Sequence, residues 1–374
     1  MPHLLQKSGR LFSLFGIDIK LHVSWYFIAV LIAWSLASAF FPQILPGKTT
    51  ITYWLMGIVA ALLLFISVLL HELSHSLVAK AKNIGVESIT LFFFGGVAGI
   101  TNEEMKPADE FQMAIAGPLF SLLLSGLFYV IHALNGLDVV AAVTQYLYEL
   151  NFILALFNLV PGFPLDGGRA FRAILYWHYK DLKKATYIAS KGGKFFAGVL
   201  IVLGIFGLLK GTGPGLWFIL LGGFLYFLAG VSYEQVVMKE VLSRIPVKEL
   251  VRKVPMLSPG IKFSQLLRLP AFQEEDVFIV KGKSKAREQG FMGLFDPQRV
   301  EKAAGDTAIK NWAIPLSQLK PLSKADNAYT AFRRMGDQNL EAWPVLEKGK
   351  LLGIVSRRKV MRRLVGELKA GSGK

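Results

Sequence analysis

The residues best suited to chemistry are two histidines and a glutamate in the segment HELSH, which runs from His71 to His75. On a helix, side chains four residues apart lie above one another, so both imidazoles can reach one metal ion from the same face. Glu72 lies on the neighbouring face, where its carboxylate can take a proton from a metal-bound water. Because the chain has no cysteine, a metal site here must use histidine and carboxylate ligands, which suit catalytic zinc.

The position of this motif favours metal binding over a chance pattern. On a soluble helix, HELSH would be a solvated polar face, but here it directly follows the apolar run Ile51–Leu70. Burying Glu72 between two histidines in hydrocarbon costs several kcal/mol unless the groups are paired or hold a metal. Lys80 lies about 12 Å beyond Glu72 along the same helix. If Lys80 marks the level of the headgroups, the site lies beneath them but short of the bilayer midplane. A hydrolase at that depth would act on a bond inside the membrane.

A third ligand is expected, because a catalytic zinc takes three protein ligands and keeps one position open for water. The segment NLVPGFPLDGGR, residues 158–169, breaks the helix with prolines and glycines and carries Asp166 at about the depth of the histidines. Asp166 could instead cap the helix that starts at Gly167, but its coincidence with HELSH favours the ligand interpretation. Asn158 is a candidate for holding the substrate backbone or an oxyanion, with a hydrogen bond between helices as the alternative.

Membrane-spanning helices must position these groups. The chain is 53% hydrophobic, and only 18% of its residues are charged, below the roughly 25% of soluble proteins. Six apolar runs are long enough to cross about 30 Å of hydrocarbon. They are Leu21–Phe41, Ile51–Leu70, Phe111–Leu134, Val139–Val160, Ala185–Leu209 and Leu216–Val231. A seventh run, Ile89–Ile100, is too short to span and contains three glycines, so we predict a re-entrant β-hairpin there.

Basic residues orient the predicted bundle. If the N-terminus is cytosolic, segments 1–20, 80–107 and 165–195 face the cytosol and hold 13 lysines and arginines. The opposite segments carry Lys48 and Lys210 and little else. This asymmetry is typical of the positive-inside rule. We therefore predict a multi-pass protein of the cell membrane with both termini in the cytosol.

From Pro246 onward the pattern becomes that of a soluble α/β domain with an internal repeat. DVFIV precedes GFMGLFDPQRV, and later AWPVL precedes KLLGIVSRRKV. These two β-β-α units resemble a tandem CBS pair, a module that in other proteins often binds adenine nucleotides. Asp296 and Arg299 in one copy and Lys359 in the other replace residues of the nucleotide-binding pattern, so nucleotide sensing and scaffolding both remain open.

The charge of this tail bears on its partners. It contains 25 lysines and arginines against 13 acidic residues, a balance of +12. The basic residues are scattered without interleaved aromatic residues, so we predict no nucleic-acid partner and expect the lipid bilayer nearby. We divide the chain into a six-helix transmembrane domain, residues 1–245, and a cytosolic CBS-pair regulatory domain, residues 246–374.

HELSH together with Asn158 to Arg169 resembles the site-2 protease family of intramembrane zinc metalloproteases. The resemblance covers about Ile19 to Val231 and is closest to the branch with CBS domains, similar to the group of the sporulation pro-sigma-K processing protease. It implies that residues 1–245 are a metalloprotease domain with one zinc ion per chain. The implied substrate is a membrane-embedded protein, cut within or near a transmembrane segment. The zinc ligands that it implies are His71, His75 and Asp166, with Glu72 as general base.

Two further elements carry the resemblance. Leu91–Gly99 is similar to the family's membrane-inserted hairpin, which implies that Phe94, Gly95 and Gly96 pair with the substrate backbone. Ile115–Ser121 is similar to the family's Ala-Gly-Pro element, with Ser121 at a position where asparagine is frequent.

Two other functions remain as alternatives, and the association of two copies is left open. In a CBS-regulated membrane transporter the acids would line an ion path, which leaves the spacing of HELSH unexplained. A catalytically silent relative that only binds membrane proteins would be favoured by a lost ligand, yet all four catalytic positions are present.

Overall fold

The computed structural model describes residues 8–92, 95–100, 105–134, 136–211, 213–268, 277–282, 292–297 and 307–371. Its backbone divides into two compact units, Met1–Glu234 and Gln235–Lys374. The division falls inside one helix, Gly215–Ser243. The functional domains 1–245 and 246–374 stay a prediction.

Six helices in the described part of the chain are long and apolar enough to cross a membrane, which confirms the predicted bundle. Each helix contains or closely overlaps one of the apolar runs, because such runs bury their backbone polar groups best as helix. The first helix includes a π-helical turn, Leu36–Phe40. In chain order we call them the first to sixth spans: Val23–Ile44, Thr50–Ala81, Pro107–Leu134, Asp138–Asn158, Leu182–Leu209 and Gly215–Ser243.

The second span continues beyond its apolar run and carries the HELSH motif. Thr49 caps its start by accepting a hydrogen bond from the Thr52 amide, and Asn83 follows its end in a left-handed conformation. Between these ends no residue interrupts the helix, so His71 and His75 lie one turn apart on its buried face.

A four-stranded sheet belongs to the same unit. Its strands are β1 (Ser8–Leu14), β2 (Ile17–His22), β3 (Val86–Phe92) and β4 (Gly95–Ile100), in that order. The predicted hairpin is present as the antiparallel pair β3–β4, and its insertion into the membrane stays a prediction. The parallel pairing of β2 with β3 was not predicted, because it joins segments far apart in the chain. In the described sheet, β4 is an edge strand.

A short amphipathic helix, Asp166–Tyr179, lies between the fourth and fifth spans. The loop before it packs closely because of its glycines. A side chain on Gly168 would collide with the backbone of Gly162, and one on Gly193 of the fifth span would collide with the carbonyl of Phe163. These close backbone contacts hold the loop in place and thereby set the position of Asp166.

A buried ion pair joins this helix to the third span. Arg172 Nε donates to Glu110 Oε1 at 2.9 Å, and the Arg172 guanidinium also lies 4.9 Å from the centre of the Phe163 ring. Glu110 is almost fully buried, at 3% exposure. Removing one partner of such a pair leaves the other charge buried and uncompensated.

The tail unit contains the strand pairs that its sequence repeat predicts. Its first sheet has the order β5 (Met256–Leu257), β6 (Phe278–Lys281), β7 (Met292–Phe295) and β8 (Ile314–Pro315). A second hairpin joins β9 (Ala342–Glu347) to β10 (Lys350–Ser356), and the helix Arg357–Gly371 follows. Both repeated segments therefore form antiparallel pairs, β6 with β7 and β9 with β10. The largest core cluster includes Leu250, Met335, Trp343, Val345 and Val360.

We expect Arg172→Met to lower the free energy of unfolding by about 3–5 kcal/mol, because Glu110 would be left buried without its cation. The measurement is denaturant unfolding in detergent micelles. The double variant Glu110→Gln/Arg172→Met should recover most of the loss. Lys324→Met, which breaks the exposed pair with Glu347, is the control and should change stability by less than about 1 kcal/mol. A double variant no more stable than Arg172→Met would contradict this account.

Candidate metal centre

Three of the sequence-predicted site residues meet inside the membrane unit. The Nε2 atoms of His71 and His75 lie 3.2 Å apart. Asp166 Oδ2 lies 3.2 Å from the first and 3.1 Å from the second. The three atoms therefore form a nearly equilateral triangle, although Asp166 is 95 residues from His71 in the chain.

The triangle fits a zinc ion. Tetrahedral zinc with bonds of 2.0–2.1 Å to nitrogen and oxygen holds its ligand atoms about 3.3 Å apart, close to the observed separations. Two imidazoles and one carboxylate leave a fourth coordination position for water or substrate. Asp166 is the first residue of its helix, after the N-cap position at Leu165, and its Oδ2 lies against both imidazoles. The carboxylate is therefore free to serve as a ligand.

Both imidazoles are oriented by a second hydrogen bond from the third span. His71 Nδ1 lies 2.8 Å from Ser121 Oγ, and His75 Nδ1 lies 2.6 Å from the carbonyl oxygen of Met113. Because a carbonyl only accepts, His75 Nδ1 must carry the proton, which leaves its Nε2 lone pair for a metal. The sequence singled out Ser121 only as a departure from asparagine, and nothing in it pointed to the Met113 carbonyl.

Gly117 lets the third span come close to the histidines. A Cβ atom at this position would lie 2.6 Å from His71 Nε2 and nearer still to His75 Nε2. Any larger residue would therefore fill the space on which the ligand atoms converge. The Ala-Gly-Pro element thus supplies both this gap and, through Ser121, a hydrogen bond.

Glu72 lies beside the triangle and faces the edge strand. A Cβ atom on Gly96 would lie 2.9 Å from Glu72 Cδ and nearer still to Cγ, so β4 passes directly against this carboxylate. Gly95 begins β4 with a φ of +128°, a conformation that favours glycine. Phe94, the third residue predicted to pair with substrate, lies outside the described residues.

Asn158, the remaining sequence-predicted candidate, and two further polar side chains of the bundle have other positions. Asn158 ends the fourth span half-buried, and no hydrogen bond to its side chain occurs among the described residues. Asn151 is fully buried and donates to Ser67 Oγ at 3.3 Å, one turn before His71, which is a structural contact between spans. His22 caps the first span by accepting from the Ser24 amide.

Comparisons with known proteins find similar chains. Peptidase family M50 matches residues 59–146 and 137–201, and the CBS domain matches residues 313–366. The chain is 38% identical over 266 residues to the protein sll0528 of Synechocystis sp., covering 70% of this chain and 69% of that protein. It is 29% identical to zinc metalloprotease MJ0392 of Methanocaldococcus jannaschii, covering 96% of each. Among solved structures, a site-2 protease from Methanocaldococcus jannaschii matches with 32% identity and a TM-score of 0.41, covering 60% of this chain and 95% of that one.

Gly117→Ala should abolish metal binding, because the added methyl group would press against both Nε2 atoms. The zinc content of purified protein, measured by mass spectrometry, should fall far below that of the wild type. Gly126→Ala is the matched control, since it makes the same change on the same helix where a Cβ atom meets nothing within 4 Å. A Gly117→Ala protein with full zinc content would disprove the assignment of this space to the metal.

Ser121→Ala should weaken zinc binding about 10–100-fold, because His71 loses the partner that orients its ring. Competition with a chelator of known affinity measures the change. Ser125→Ala, one turn further along the same span, removes a hydroxyl that bonds the Tyr148 carbonyl and should leave zinc affinity unchanged. Equal affinities for the Ser121 and Ser125 variants would show that the hydrogen bond to His71 has no role.

Proposed function

The chain belongs to peptidase family M50, the site-2 family of intramembrane zinc metalloproteases, and we propose that His71, His75 and Asp166 hold its zinc while Glu72 is the general base. The observation that carries the assignment is the triangle of ligand atoms, 3.1–3.2 Å on each side, with Glu72 next to it. This arrangement supplies the metal ligands and the general base that metal-assisted peptide hydrolysis needs.

The proposed reaction is hydrolysis of a peptide bond. Zinc, when bound, polarises the scissile carbonyl and lowers the pKa of water to about 7. Glu72 accepts a proton from the attacking water as the new carbon–oxygen bond forms, and returns it to the amide nitrogen as the carbon–nitrogen bond breaks. Ser121 and the Met113 carbonyl keep the two imidazoles in their ligating orientation throughout.

The proposed substrate is a membrane-embedded protein that is extended at the cleaved bond. A transmembrane helix hides its carbonyls in its own hydrogen bonds, so the substrate must unwind locally, and the freed backbone groups need new partners in lipid. Strand β4 can provide them by adding the substrate as a further strand. Because Gly96 touches Glu72, a segment paired at Gly95 and Gly96 would have its carbonyls beside the base. Asn158 is a candidate for a further polar contact.

We propose a site open to the cytosol, with both termini on that side of the cell membrane. The support is the excess of basic residues in segments 1–20, 80–107 and 165–195. Lys80 and Lys82 at the end of the second span lie just beyond the metal-binding histidines, and Lys82 pairs with Asp109 at 3.4 Å.

For the tail we propose regulation or positioning of substrate by the CBS domain. An adenine nucleotide is the ligand that the fold suggests, and two features bear on it. Ser356, which the nucleotide-binding pattern shares, is buried at the end of β10, whereas Lys359 stands where that pattern has an acid. Scaffolding, with or without a second copy of the chain, remains the alternative, and calorimetric titration with AMP or ATP separates the two.

Glu72→Gln should keep its zinc and lose at least about 100-fold in cleavage rate, since glutamine has the same shape but cannot accept a proton. The measurement is mass spectrometry of membrane fractions from cells that express either protein. New chain ends inside apolar spans should appear with the wild type alone.

The control is Glu87→Gln, which changes an exposed glutamate on β3 and should behave as the wild type. If wild type and Glu72→Gln leave identical membrane fragments, the chain is catalytically silent or uses another base. Zinc content of each variant, measured in parallel, separates loss of the base from loss of the metal.

A further inference from the structure

An acidic side chain lies in the middle of the fourth span, away from the metal centre. Of the six apolar runs in the sequence, only Val139–Val160 contains an acid, Glu149. The span runs from Asp138 to Asn158, so Glu149 is about 16 Å along the helix from its start. A carboxyl group at that depth is costly unless polar groups surround it, and such residues commonly serve a function.

Glu149 lies in a groove between the third and fourth spans. The groove has a volume of about 530 Å³ and opens on the outside of the bundle, where Tyr129 and Phe152 are each about half exposed. Ser125 Oγ donates to the Tyr148 carbonyl at 2.8 Å, and the rings of Tyr129 and Tyr148 meet edge to face at 5.5 Å. These contacts join the two spans along the groove.

The carboxylate is held in position but has acceptor capacity to spare. Gln145 Nε2 donates to Glu149 Oε1 at 3.0 Å, and the Tyr148 hydroxyl bonds the same carboxylate. A carboxylate has about four acceptor positions, so a donor from outside can still be accommodated. Both present partners belong to the same helix as Glu149, which orients the group without closing the groove.

The acceptor in the groove and the open space at Gly126 favour a transmembrane helix as the occupant. Acyl chains carry no donor, whereas a transmembrane helix with a lysine, arginine or amide side chain at mid-depth does. Gly126 forms part of the groove wall, and a Cβ atom there meets nothing within 4 Å, so a second backbone can approach closely. Of these donors, a cation complements the carboxylate best.

We propose that this groove binds a transmembrane helix of another membrane protein through a cationic side chain that reaches Glu149. The groove is separate from the catalytic centre, because Gly117 and Ser121 of the third span face the histidines while Ser125, Gly126 and Tyr129 line the groove. It would recruit a substrate or regulator independently of cleavage. The proposal therefore does not rest on the catalytic assignment.

The test uses full-length protein in phosphatidylcholine nanodiscs. Because the chain has no cysteine, Leu137→Cys at the exposed start of the fourth span provides a single site for a donor fluorophore. The probes are synthetic helices of leucine and alanine, labelled with an acceptor, that carry either one central lysine or a leucine in its place. Energy transfer should show about tenfold tighter binding of the lysine helix, the size expected of one polar contact between helices.

Glu149→Gln should remove this preference and leave binding of the leucine helix unchanged. Asp138→Asn, which neutralises an acid on the same span outside the groove, should retain the preference. Gly126→Leu fills the groove from the third span and should lower binding of the lysine helix. This variant keeps the test valid if the Glu149 variant misfolds. Size-exclusion chromatography and circular dichroism verify the fold of every variant.

Three outcomes would overturn the proposal. The first is equal binding of the two probe helices, and the second is a lysine preference that persists in Glu149→Gln. The third is energy transfer between two protein copies, without any peptide, that disappears in Glu149→Gln, since this would assign the groove to a second copy of the chain.

Discussion

The structure depends on one constraint, which is that two imidazoles and two carboxylates lie within an apolar bundle and must satisfy each other. His71, His75 and Asp166 converge to within 3.2 Å, so one divalent cation can neutralise and coordinate all three. The unbroken second span, the glycine-rich loop before Asp166 and the third span beside both histidines serve this convergence. If either span or the loop shifted, a polar group would be left in hydrocarbon without a partner.

Close backbone approach is the means by which the convergence is reached. Gly117 lets the third span pack against the imidazoles, Gly168 and Gly193 let the loop at residues 159–165 pack against its neighbours, and Gly96 lets β4 touch Glu72. In water, glycine weakens helices, but between membrane helices its lack of a side chain permits the tight packing that lipid does not drive by itself. The same residues therefore shape the metal site and the path that a substrate strand would follow.

Polar contacts outside the triangle divide the membrane unit into regions with different roles. Glu110 and Arg172 fasten the helix that carries Asp166 to the third span, and Asn151 and Ser67 join the fourth span to the second. Glu149 differs from these, because its groove opens outward and its carboxylate keeps acceptor positions in reserve. A bundle built in this way can recognise a partner helix on one face and carry out hydrolysis on another.

The sequence by itself determined the six spans, the β3–β4 hairpin and the paired strands of the tail, and it named the residues that we propose hold the metal. All of these follow from local patterns, namely apolar runs, helical spacing, turn residues and short motifs. Such patterns lie within short segments of the chain and do not depend on how the segments pack. Only the tertiary structure decided that Ser121 and the Met113 carbonyl orient the histidines, that Gly117 leaves room for the ion and that β2 pairs with β3. Each of these depends on distances between segments far apart in the chain, and such distances are set by how whole helices and strands pack rather than by any local pattern.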